Sequence, residues 1–123
     1  MNLLLDTHII LWWLKDDPVL SDKHKDLLLN PEHVCFVSAA SIWEISIKSA
    51  IGKLEIPDSY IEELLIEGFQ ELPIHWKHTN MVKYLPLHHR DPFDRLLIVQ
   101  AKIENLTLLT VDTHIQLYDV KTL

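Results

Sequence analysis

The sequence predicts an α/β fold on a mainly parallel β-sheet, and three features carry that expectation. Short apolar runs alternate along the chain with longer segments of helical periodicity. The breaks between them are short, with no repeat, low-complexity tract or linker-like stretch. Two apolar runs, at 2–5 and 106–111, lead directly into aspartates, Asp6 and Asp112. In parallel sheets, ligands gather beyond such carboxyl ends of strands.

The run at 2–5 reads as a buried strand, followed by a helix through Leu14 that stops near Asp16-Asp17-Pro18. Ser21 suits the N-cap of a second helix, ended by Asn30-Pro31. Residues 33–37 form a second β-rich run. The next helix starts at Ser38 or Ser41 and closes at Gly52. Another opens at Asp58 or Ser59 and runs to about Gly68. A strand is expected at 72–74, a helix at 76–85, and a strong helix from Asp91-Pro92 to Asn105. Residues 106–111 are the clearest later strand, and 118–120 are a candidate final edge strand.

At 123 residues the chain suits one domain, 1–123, with 48% apolar residues to build its core. Cys35 is the only cysteine, so no internal disulfide forms. The run 9–14 is too short to span a bilayer, and the expected setting is the cytoplasm, with no membrane partner. Only two glycines occur, which excludes glycine-rich phosphate loops. The net charge of −7 argues against a nucleic-acid coat protein. It permits a nuclease if the acids cluster at a metal site.

Four acids are candidates for such a cluster, and each has an ordinary structural reading beside the functional one. Asp6 follows three leucines and suits a helix N-cap. Glu44 lies in a helix apolar around most of its circumference, where an unpaired carboxylate is costly. Ser41-x-x-Glu44 is also a capping-box pattern, so the helix start decides its meaning. Asp91 reads mainly as an N-cap, and Asp94 as a carboxylate projected from a rigid helix start. Asp112 suits either a turn or a ligand. Carboxylates that converge without a cation repel one another, and oxygen-only donors suit Mg²⁺ or Mn²⁺.

The stretches LLLDTHIILWW, SAASIWEISIK, HRDPFDRLLIVQA and LTLLTVD resemble, in order, the motifs of PIN domains. Within these they are most similar to the VapC-like branch (virulence-associated protein C), toxin ribonucleases of type II toxin–antitoxin systems. The resemblance covers nearly the whole chain, and one mild departure is Val99, where the family often has alanine. It implies a PIN-like fold and a Mg²⁺- or Mn²⁺-dependent endoribonuclease with Asp6, Glu44, Asp94 and Asp112 as the acidic quartet. Asp6 and Asp94 are the first choice for direct ligation, and Thr7 and Thr110 match supporting hydroxyl positions. It also implies a cognate antitoxin and a homodimer. The alternative is a catalytically silent PIN-like module that binds RNA or protein.

An acidic nuclease needs cations near its site to receive RNA. Lys48, Arg90 and Arg95 are the candidates; His88 and His89 are weighed with them and read mainly as solvated surface. Trp43 is expected in the core, whereas adjacent Trp12 and Trp13 cannot both face it, which assigns one of them to a partner contact. A haloacid-dehalogenase-type phosphatase would need a second Asp two residues after the first, where this chain has His8.

Overall fold

The computed structural model describes all 123 residues, Met1–Leu123. Leu3, Leu4 and Leu5 of β1 (Asn2–Leu5) have no accessible surface. A strand apolar on both faces belongs in the middle of a sheet covered on both sides. That is its place: the order is β3-β2-β1-β4, with β2 at Val34–Ser38, β3 at Gln70–Leu72 and β4 at Thr107–Leu109. Every pairing between these strands is parallel, and the register sets Leu3 beside Cys35 and Leu5 beside Leu109. Alternation sends Leu3 and Leu5 into one core layer with Ile9, Ile10, Val37 and Ile45. Leu4 faces the other layer, with Leu97, Ile98 and Leu108.

Six helices cover the two faces: α1 Thr7–Leu14, α2 Asp22–Leu29, α3 Ala39–Ala50, α4 Tyr60–Ile66, α5 Trp76–Met81 and α6 Pro92–Ile103. No helix is long and apolar enough to cross a membrane. The helix after β2 is capped by Ser38, whose hydroxyl accepts the Ala40 amide. Glu44 therefore lies inside α3, and the capping-box reading of Ser41 and Glu44 does not apply. Past the end of α3, Gly52 takes φ +75, a conformation that carries no Cβ penalty only in glycine. Gln100, fully buried on α6, accepts from the Ser38 hydroxyl and donates to the Pro73 carbonyl at 3.1 Å. One amide thus ties α6 to the carboxyl ends of both β2 and β3.

Four expectations need correction. The third strand lies at Gln70–Leu72 rather than 72–74, because pairing follows the register of β2, with Ser38 opposite Leu72. No strand forms at 118–120: Tyr118 is buried, and its hydroxyl accepts the amides of His88 and His89. The chain reaches β4 only afterwards, through Leu108 N–H to the Lys121 carbonyl at 2.8 Å and Leu123 N–H to the Leu108 carbonyl at 3.0 Å. Trp43 is not in the core but 59% exposed, because Ala40, Ser41, Glu44 and Ile45 form the buried stripe of α3. Phe93 supports its ring edge-on at 5.1 Å between centroids. Trp12 and Trp13 are both half-buried against the first core layer, Trp13 against Phe69, so the adjacent rings do share one core.

Candidate metal centre

Chain order runs outward from β1 to β2 and β3, then returns to place β4 on the other side of β1. The reversal creates a crevice at the carboxyl ends of β1 and β4, the place where parallel sheets bind ligands. Asp6 leaves β1 there, and Thr110 and Asp112 follow β4.

Asp6 is almost wholly buried and has two local partners. One carboxylate oxygen accepts the His8 amide at 3.3 Å as the N-cap of α1, and the other accepts the Thr110 hydroxyl at 2.7 Å. Burial raises its pKa, the Thr110 hydrogen bond opposes the rise, and the nearby Asp112 charge adds to it. The Thr110 oxygen also accepts the Asp112 amide at 3.0 Å, which couples the β4 turn to Asp6. Asp112 in turn accepts the His114 amide at 2.8 Å. The structural readings of Asp6 and Asp112 are therefore real, and each leaves carboxylate capacity for a ligand.

Asp91 caps α6 by accepting the amides of Phe93 and Asp94, at 2.9 and 3.1 Å. That cap projects Asp94 from the first turn, buried. Its carboxyl is pushed up to about 7, first by burial and then by the charges of Asp6 and Asp91, against a weaker pull from His89. Such a shift marks a carboxylate that lacks compensating cations, and divalent metal would supply the missing charge.

Glu44 enters from α3. Its Oε2 accepts from Lys48 at 2.7 Å, whereas Oε1 is buried without any hydrogen-bond partner. The Lys48 ammonium, whose pKa the Glu44 hydrogen bond raises, also senses Asp91 and Asp94. Glu44 therefore borders the same negative region. An orphaned buried carboxylate oxygen, on a glutamate whose Lys48 partner also senses Asp94, is an acceptor that a divalent cation would satisfy.

The chain belongs to the PIN domain family. The family model matches residues 3–121, nearly the full sequence. Among solved structures, VapBC2 from Rickettsia felis bound to a DNA fragment from its promoter has a chain similar at TM-score 0.71 and 18% identity, covering 100% of this chain and 98% of that one. VapBC-1 from nontypeable Haemophilus influenzae gives 0.66 and 22%, covering 100% and 97%. FitAcB from Neisseria gonorrhoeae gives 0.64 and 20%, covering 98% and 95%. At these identities the likeness is one of fold. No curated protein sequence matches the chain.

Against the PIN motifs, the structure redistributes several supporting residues. Thr110 bonds a quartet carboxylate, but Thr7 donates to the Ser41 hydroxyl at 2.8 Å and so ties α1 to α3. Arg95 does not reach outward for substrate. Its guanidinium donates to the carbonyls of Val82, Leu85, Pro86 and His89 and to the Tyr118 hydroxyl. Arg90 stays exposed, and Lys48 is half-buried on Glu44. His89 is not solvated surface: its Nε2 lies 2.8 Å from Asp94 and 3.6 Å from Asp112. The available signal was its position five residues before Asp94, in the loop that α6 must close.

Proposed function

We propose that this PIN protein is a Mg²⁺- or Mn²⁺-dependent endoribonuclease, the toxin of a type II toxin–antitoxin pair. The observation that carries the reading is the crowding of Asp6, Asp94 and Asp112 at the β1–β4 crevice, with His89 within reach of the last two. Membership of the PIN family supports a hydrolase of the nuclease class.

Asp6, Glu44, Asp94 and Asp112 are the residues that would hold the cation. When bound, a divalent ion acidifies water and stabilises negative charge on an attacked phosphate. The chain does the positioning. Thr110 orients Asp6 and Asp112 together, and the Asp91 cap fixes Asp94 at the start of α6. Lys48 holds Glu44 in place, and exposed Arg90 offers a cation at the entrance for the RNA backbone.

A partner protein has a candidate seat nearby. A groove of about 470 Å³, lined by Ile42, Trp43, Ile61, Leu65 and Phe69 among others, runs between α3 and α4. Trp43, Ile61 and Leu65 are exposed there, a side-by-side apolar set that a partner could cover. This supports an antitoxin partner, a role consistent with the VapBC complexes whose fold the chain shares. A homodimer and action in the cytoplasm complete the proposal.

The test is cleavage of a mixed RNA pool by purified protein with Mn²⁺, Mg²⁺ or EDTA. Cleavage that needs metal and drops at least a hundredfold in Asp94→Asn is the expected result. Cleavage that persists in EDTA would overturn the metal dependence, and no cleavage by a folded protein that binds metal would favour a silent binding module.

A further inference from the structure

His89 stands apart from an otherwise all-oxygen centre. Its Nε2 and one oxygen each of Asp94 and Asp112 lie within 4.8 Å of one another, close enough to share a single ion. The ring is delivered there by a built support. The His89 amide donates to the Tyr118 hydroxyl at 2.9 Å, and its carbonyl accepts from Arg95 at 3.3 Å. His114 stacks on the imidazole at 4.9 Å, and its own Nδ1 lies 3.4 Å from Asp112. A surface histidine placed by chance has no need of backbone clamps on both sides.

We propose that His89, Asp94 and Asp112 form a mixed nitrogen–oxygen subsite that selects a borderline cation of the zinc class over Mg²⁺. The idea rests on the nuclease reading to the extent that Asp94 and Asp112 also serve the centre proposed there. Mg²⁺ favours oxygen donors and gains little from an imidazole, whereas Zn²⁺ gains strongly. Three protein ligands with one open position is also the usual protein share of a zinc site that admits water or substrate. The proton now shared between His89 and Asp94 moves to Nδ1 or to solvent when Nε2 takes the ion. The consequence is that His89 adds to the affinity for Zn²⁺ and not to that for Mg²⁺.

The test is calorimetric titration of the full chain with Zn²⁺ and with Mg²⁺, in wild type, His89→Gln and Asp112→Asn. Zn²⁺ binds more tightly than Mg²⁺ to almost any such site, so the difference between variants decides. The expected result is a loss of about 10–100-fold in Zn²⁺ affinity in His89→Gln, with Mg²⁺ affinity held within about threefold. Asp112→Asn should weaken both ions. Unchanged Zn²⁺ affinity in His89→Gln overturns the proposal while leaving a Mg²⁺ centre intact. Absence of binding by either ion in wild type overturns the nuclease reading as well. A second measurement needs no variant: one equivalent of Zn²⁺ should shift the ring signals of His89 and of stacked His114 in the NMR spectrum. Shifts confined to other histidines would assign the ion to the surface and overturn the proposal.

Discussion

At the scale of single residues, the structural and functional readings of the acids coexist. Asp6 caps α1 with one oxygen and accepts from Thr110 with the other. Asp94 has less compensation, and its carboxyl rises from the ordinary 3.8 to about 7. The sign follows from linkage. In metal-free protein the folded state holds this proton more tightly than the unfolded chain does. Stability from this group is therefore full below about pH 4 and falls as pH rises toward 7. The shift corresponds to at most about 4 kcal/mol, shared with Asp6, whose pKa is raised in the same direction. In EDTA, Asp94→Asn should therefore match wild type near pH 4 and become the more stable protein by pH 7.5. Urea unfolding across that range checks it, and a gap that fails to widen with pH would contradict the Asp94 shift.

At the scale of elements, helix starts and one loop clasp set the site. Ser38 both caps α3 and bonds Gln100, so Ser38→Ala removes a cap worth about 1 kcal/mol and strands a buried amide as well. We expect a loss of about 2–3 kcal/mol in denaturant unfolding, more than capping alone explains. Arg95 and Tyr118 hold the loop between α5 and α6 through its carbonyls and amides. Arg95→Met should speed hydrogen exchange across residues 82–90 while sparing β1 and β2. Uniform protection in that loop would show that Tyr118 alone suffices. The order of residues foretold α6 well, because Asp91-Pro92 is a complete local start signal. It did not foretell the clasp, since a guanidinium that gathers four carbonyls looks the same in sequence as one that faces solvent.

At the scale of the whole molecule, the converging acids are a cost that the apolar layers carry. Leu97 has no accessible surface and belongs to the α6 side of the core, so Leu97→Ala should destabilise by about 2–5 kcal/mol in thermal or urea unfolding. Metal acts in the opposite direction. Mn²⁺ at about a hundred times its Kd should add roughly 2.7 kcal/mol to wild type, several degrees in Tm. The same addition should do little for Asp6→Asn or Asp94→Asn. An equal response in all three proteins would remove the quartet from consideration as the metal site.

The sequence by itself determined the α/β class, the apolar central strand, the four acids and the family motifs that surround them. These are local signals: hydrophobic period, caps and the residue types that follow a strand. The tertiary structure alone decided which strand ends share an edge, and so that residues 6 and 94 feel one another's charge. It settled the start of α3, which turned Glu44 from a capping residue into a buried carboxylate with a free oxygen. It also moved His89 to the centre and Arg95 away from it. The reason is physical: burial, Coulomb interaction and hydrogen-bond satisfaction depend on distances through space, and residues up to 106 positions apart in the chain, such as Asp6 and Asp112, meet only when the parallel sheet reverses its order at β1.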